Sequence, residues 1–266
     1  MLRLCACLVC CLLGAAFAKT ASGQLLQTPR AEALAYATVA EGTVWGGREN
    51  PASGPTGGGF AAQAYGYRQL DLAQLDRFAL DLSFGLPRVT AQAGIAYFAP
   101  PGYRLVGAYV GAARELVDGL RAGLRVGVAT GDYEVYGSEL VPVASGGITY
   151  RVTPTLTGAA DYTYVARPLL PLADHRLRLG IRYASSPRVL LYAAAEQTVG
   201  APLGGQAGIR FVASERLDFS TGIRTAGRAV TFGLGIGLGD ALRLRLALAV
   251  YQQLPVGLAY GVGWGG

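Results

Sequence analysis

The only histidine, His175, follows Asp174 and precedes Ser185 and Ser186 in the same segment, so an acid, an imidazole and two hydroxyls stand close in sequence. A hydrolytic triad needs the acid on one side of the ring and the hydroxyl on the other. Neighbours on a strand point to opposite faces, which separates Asp174 from His175 if the segment is extended. All four cysteines (Cys5, Cys7, Cys10, Cys11) lie in one N-terminal apolar run. One histidine with no later thiol leaves only carboxylates for a metal, and no zinc or thiolate site follows. The run Gly233-Leu234-Gly235-Ile236-Gly237 imitates a dinucleotide loop, but no helix follows to cradle a phosphate. These residues predict no enzyme, no metal and no cofactor.

A different chemistry lies in the arginines. The chain has 23 Lys+Arg against 17 Asp+Glu, net +6, and Lys19 is its single lysine. Arg121, Arg125, Arg151, Arg176, Arg178, Arg182, Arg210, Arg224, Arg243 and Arg245 alternate with apolar or glycine neighbours. They share a face with Asp81, Asp161, Glu196 and Asp218. A guanidinium fork grips a carboxylate through two parallel bonds, so such a face attracts anionic or carboxylate-bearing solutes. The same side chains can instead brace a wall through acid pairs and backbone carbonyls. Because they alternate with leucine and form no exposed patch, nucleic acid is not an expected partner.

The elements that position these residues are strands. Leu242, Leu244, Leu246, Leu248 and Val250 fall on one face, with Arg243, Arg245, Ala247, Ala249 and Tyr251 on the other. Leu177, Leu179, Ile181 and Tyr183 oppose Arg176, Arg178, Gly180 and Arg182 in the same way. Such segments recur near 59–69, 75–84, 88–98, 102–114, 118–130, 143–152, 154–166, 174–185, 188–197, 203–213, 216–225, 229–238, 240–251 and 254–264. A tilted strand crosses a bilayer in about 9–11 residues, and these segments have that length. Tight connections such as Gly85-Leu86-Pro87, Thr153-Pro154 and Gly239-Asp240 alternate with generous ones, above all 131–142 and 167–173.

Composition agrees. Charged residues are 15% and hydrophobic residues 52% of the chain, where soluble domains carry about 25% charge. The 39 glycines show no Gly-X-Y period, which excludes collagen. The expected fold is all-β: a transmembrane antiparallel β-barrel of about fourteen strands over 59–266, arginines inside. A soluble sandwich or lipocalin-like barrel would turn its greasy faces inward and leave each arginine to be buried or placed at an edge. Tyr65, Tyr67, Tyr97, Tyr103, Tyr162, Tyr164, Tyr183 and Trp264, near strand ends, suit interfacial girdles.

Two segments precede the strands. Residues 1–18 read as a signal peptide, with Arg3 at its start, an apolar run and a small-x-small site ending at Ala18; this implies export. Residues 19–58 read as an arm and hatch. Leu34, Ala35, Thr38 and Val39 take helical spacing within Ala31–Glu41, and Trp45 and the Asn50-Pro51 turn follow. Asn50 is the only asparagine in the chain; its side chain can mimic a backbone turn, and Pro51 biases it away from helix. Structural capping is favoured over ligand contact for this pair. Arginines of the wall are expected to hold Glu32, Glu41 and Glu49.

Arg30-Ala31-Glu32-Ala33-Leu34-Ala35, Val39-Ala40, Trp45 and Asn50-Pro51-Ala52 together resemble the N-terminal signature of Bacteroidota outer-membrane proteins related to PorV and PorQ. Gly208-Ile209-Arg210-Phe211, Thr231-Phe232-Gly233-Leu234-Gly235 and Leu254-Pro255-Val256-Gly257 are similar to that family's closing strands. These proteins in turn resemble FadL-type transporters of hydrophobic compounds. The resemblance implies a fourteen-strand barrel in the outer membrane of a Gram-negative bacterium, with an N-terminal hatch. The function it implies is a plugged channel for small hydrophobic or amphipathic compounds. The alternative is a non-transporting barrel that anchors or assists surface protein secretion of the type IX kind. The expected partners are outer-membrane lipid, a hydrophobic or anionic small ligand and, for the alternative, secretion-system proteins.

Overall fold

The computed structural model describes residues 28–41, 46–55, 58–69, 72–99, 101, 103–133, 137–166, 174–252 and 255–265. The expected signal peptide, 1–18, and Trp45 lie outside the described residues. The barrel is built from β1 (Phe60–Gln69), β2 (Leu72–Gly85), β3 (Val89–Phe98), β4 (Tyr103–Val117), β5 (Leu120–Tyr133), β6 (Gly137–Arg151) and β7 (Leu156–Val165). It continues with β8 (Asp174–Ser186), β9 (Val189–Thr198), β10 (Gly204–Ser214), β11 (Leu217–Arg224), β12 (Ala229–Leu238), β13 (Leu242–Tyr251) and β14 (Gly257–Gly265). Every strand pairs antiparallel with its neighbours in sequence, and β1 meets β14 from Ala61↔Gly265 to Gln69↔Gly257. Closure leaves no edge whose backbone groups would face hydrocarbon unpaired.

The apolar faces point outward. Leu244, Leu246, Leu248 and Val250 are 38–47% exposed, whereas Ala247 and Ala249 on the opposite face are 2% and 0% exposed. A soluble barrel with a greasy interior is therefore excluded, and a bilayer is the solvent that this outer face fits. Outward charges collect beyond the apolar band. Arg68 pairs with Asp76, and Arg104 with Asp132 at 2.9 Å, on the rim away from the chain's entry into β1.

The two rims differ, as expected from the turns. The rim where β1 begins and β14 ends is closed by the short connections 86–88, 118–119, 152–155, 187–188, 215–216 and 239–241. At the opposite rim the strand ends are separated by 70–71, 99–102, 166–173, 199–203, 225–228 and 252–256. One expectation fails there. The stretch 131–142 is not a long loop, because β5 and β6 extend past the apolar band and keep pairing through Gly131↔Glu139 and Asp132↔Ser138. Only 134–136 separates them.

The expected helix over Ala31–Glu41 is also much shorter. A single turn, α1 (Pro29–Ala33), starts with Thr28 accepting the Ala31 N–H at 3.2 Å and with Pro29 at a position that needs no N–H. It stops because Ala35 (φ 51°) and Tyr36 (φ 70°) take the left-handed region. That reversal turns Leu34 into a cluster with Ala37, Val39, Tyr192 and Ala194. Packing overrides the local helical spacing.

Candidate functional site

Residues 28–41 and 46–55 fill the interior of the barrel, and nearly all are buried. The wall makes room for them with glycine. A Cβ on Gly147 would overlap the Asn50 side chain, one on Gly123 the Pro51 backbone, and one on Gly180 the Val39 side chain. These inward glycines form the surface against which this inner segment lies.

Asn50 is the pivot. It is fully buried, and its Oδ1 accepts the Ala52 N–H at 2.9 Å, an Asx turn. Its Nδ2 donates to Val39 O at 3.0 Å within the segment, and to Ile148 O at 3.2 Å and Ala160 O at 3.3 Å on β6 and β7. The side chain therefore shapes the turn and ties it to the wall. Pro51 offers its carbonyl to Gln92 Nε2 at 3.1 Å on β3.

Three ionic centres hold the segment. At the first, Arg48 makes a bidentate contact with Asp81 on β2, at 2.9 and 2.8 Å, and Tyr65, Tyr109 and Gln63 donate to the same carboxylate. Arg48 was not among the expected residues, since nothing in its local sequence marks it; Asp81, on an inward strand position, was the available signal. At the second, Arg178 on β8 donates to Asp161 at 2.8 Å and to the Glu49 carbonyl, with the Glu49 carboxylate 3.9 Å away. At the third, Arg30 and the wall hydroxyl of Tyr192 converge on Glu41, at 2.8 and 2.7 Å. Burial alone would push the Glu41 carboxyl up, but the Arg30 and Arg210 guanidiniums and the Tyr192 hydroxyl outweigh it and hold it below its ordinary value.

The acids of the segment are thus held differently from the expectation. Glu49 lies within ionic range of the wall arginine Arg178. Glu41 pairs with Arg30 of its own segment, and Glu32 accepts from Tyr36 and from Tyr251 of β13. Tyr65 and Tyr67 are also reassigned: both point inward, Tyr65 to Asp81 and Tyr67 to Tyr251 at 3.0 Å, and neither belongs to a girdle. Tyr97, Tyr162, Tyr183 and Trp264 do face outward and are 44–59% exposed.

The arginines sort by task. Arg121 donates to Gly54 O at 3.0 Å and Arg125 to Arg48 O at 3.0 Å, so both grip the backbone of the inner segment. Arg224 stacks between the rings of Tyr36 and Tyr251, 4.5 and 4.9 Å from their centroids. Arg210 forks onto Asp218 at 3.1 and 3.0 Å, with Arg243 and Arg245 near the same acid. Arg182 reaches Thr157 at 3.4 Å, and Arg176 lines an inner cavity. Arg151 departs from the expectation: it sits at the short-turn rim, 58% exposed, paired with Asp118 instead of lining the interior. His175 points outward, its Nδ1 bonded to the Tyr162 hydroxyl and its ring beside Tyr164.

Two hollows flank the wall. The inner one, about 80 Å³, is lined by Arg48, Arg125, Arg176, Arg178, Ser145 and Thr163 among others. The outer one, about 830 Å³, is a trough on the apolar face. It forms because the outward residue of β1 at its floor is only Ala64, between the bulkier Phe78 and Leu80 of β2 and Tyr260 and Val262 of β14. Ala96, Gly107 and Ala108 line both hollows.

These features define a class: a fourteen-strand transmembrane barrel whose interior is occupied by its own N-terminal segment. Among solved structures the chain is similar to a toluene transporter of Ralstonia pickettii, TbuX (TM-score 0.63, 13% identity, 91% of this chain and 98% of that one). It is similar as well to the P. putida toluene transporter TodX (TM-score 0.61, 11% identity, 91% and 98%). A FadL homologue of Pseudomonas aeruginosa aligns with TM-score 0.63 and 10% identity over 90% and 98% of the two chains. At these identities the likeness is one of fold. No family model and no curated protein matches the sequence.

Proposed function

We propose that the protein is an outer-membrane channel for small hydrophobic or amphipathic compounds, closed by its inner segment acting as a hatch. The observation that carries this reading is the thin partition at Ala96, Gly107 and Ala108, which separates an apolar trough of about 830 Å³ from an arginine-lined inner cavity. The trough has room for a small aromatic or aliphatic molecule and offers it an almost wholly apolar lining. The inner cavity offers polar groups to a headgroup. Similarity to proteins described as toluene transporters supports small aromatic hydrocarbons as the first solutes to try. Export by cleavage after Ala18 and residence in a Gram-negative outer membrane complete the proposal. No observation in the structure favours the secretion-anchor alternative.

The test is uptake of labelled toluene into cells expressing the protein. Ala108→Trp, which fills the outer trough, and Gly107→Trp, which thickens the partition from inside, are both expected to slow uptake while the barrel still assembles. Uptake equal to that of the unaltered protein in both variants would defeat the reading.

A further inference from the structure

The short-turn mouth of the interior holds an imbalance of charge around Asp218. Asp218 on β11 faces three guanidiniums. Arg210 takes both carboxylate oxygens at 3.1 and 3.0 Å. Arg243 Nη1 stays 3.8 Å from Oδ2 and Arg245 Nη1 3.7 Å from Oδ1, in ionic range but beyond hydrogen bonding. One acid against three arginines leaves an excess of positive charge. The next ion pair, Arg30–Glu41, is neutral in itself and supplies no balance.

Donors also go unused. Arg245 Nη2 is buried and has no hydrogen-bond partner. Arg243, one residue into β13 from the rim turn, remains 35% exposed toward that mouth. Both side chains lie beside Gly261 and Gly263, and with Gln63 they line a small gap there. A buried guanidinium without an acceptor is costly, and an oxyanion that brought two oxygens would satisfy it.

We propose that Arg243 and Arg245, backed by the Arg210–Asp218 fork, form an oxyanion-binding site at the short-turn mouth, which takes the carboxylate or phosphate group of a small solute. Arg243, one strand residue from the rim and 35% exposed, opens the site to the mouth, and Arg245 lies behind it, mostly buried. The shared chemistry is a planar or tetrahedral group with at least two oxygens, and the fork geometry selects such groups over chloride.

The test is calorimetric titration of the full chain in detergent with sodium benzoate in one arm and inorganic phosphate in the other. Binding in at least one arm is expected, and the arm that binds names the source of the oxyanion. Arg243→Gln and Arg245→Gln should each weaken it by roughly 10- to 100-fold, the worth of a charge-assisted contact. Arg188→Gln, an exposed rim arginine of the same mouth, should leave the affinity unchanged. Asp218→Asn, which removes the competing carboxylate, should tighten binding, and it keeps the proposal testable if a glutamine variant fails to assemble. No binding of either anion, an equal loss in Arg188→Gln, or weaker binding in Asp218→Asn would each overturn the site.

Discussion

Replacing Asn50 by leucine keeps the branching and heavy-atom count of the side chain, though not its smaller volume, and removes every hydrogen bond it makes. In the folded protein those are one accepted bond, from Ala52 N–H at 2.9 Å, and the two amide hydrogens of Nδ2 shared among Val39 O, Ile148 O and Ala160 O at 3.0–3.3 Å. The Ala52 amide is left buried without its acceptor, at about 1–3 kcal/mol, and each carbonyl loses one donor, at about 0.5–1.5 kcal/mol. One amide serves all four bonds, so their effects are not additive, and a combined cost of about 3–5 kcal/mol is reasonable. The cost falls on the seated state of the inner segment, because the strands keep their own ladders. Unseating should rise roughly 10²- to 10⁴-fold. Single-channel recording in a planar bilayer reads this directly: brief openings, rare in the unaltered protein, should become frequent in Asn50→Leu. Limited proteolysis should cut near residue 50 in the variant alone. A variant with unaltered conductance and unaltered protease resistance would refute the reasoning, because the segment would then be held without its pivot.

Three further outcomes follow from the same contacts. Gly147→Val places a side chain where the Asn50 amide lies and should unseat the segment as strongly as Asn50→Leu, checked by the same recordings. Glu41 has a carboxyl pKa held below its ordinary value of 4.5; its stabilising contribution is therefore complete above that value and is lost as pH falls through the lower, folded one. Channel openings should be rare and independent of pH from neutrality down to about pH 5 and should increase only in more acidic solution; Glu41→Gln should abolish that acid response. Leu246→Arg puts a charge on the outward face near the middle of β13 and should cost about 2–4 kcal/mol in a refolding titration into lipid vesicles. A cost near zero would mean that this face does not meet hydrocarbon.

Strand number and inside–outside assignment were legible because a period of two survives along every strand, whatever the neighbouring strands do. Leu244 and Arg243 declare their faces without reference to anything distant. Asp161, Arg178 and Asp218 were placed inward by the same rule. What holds the inner segment was not legible, because it depends on which inward positions lie at one height around the ring. Glu49 meets Arg178 across 129 residues of sequence, and Arg48 meets Asp81 only through the register of β1 and β2. Tyr65 and Tyr67 misled for a related reason: closeness to a strand end suggests an interface, while parity with the inward row decides the face. The helix over Ala31–Glu41 was overstated because spacing cannot foresee a left-handed pair at Ala35 and Tyr36. Trp45 lies outside the described residues and stays an expectation.

The short helix α1 packs against β11, β12, β13, β14 and β1, and so touches both strands that close the ring. It is made before any strand, since it precedes β1 in the chain. A nascent sheet that curls around it finds on its surface a guide for the last pairing, Ala61↔Gly265 to Gln69↔Gly257. Joining first strand to last is the contact of greatest sequence separation in the molecule, and the slowest kind to find by diffusion. The same five residues that help to stop the bore are therefore placed to act as a jig during assembly, holding the two ends of the sheet at one height until they zip. A barrel made without them has to locate its closing register unaided.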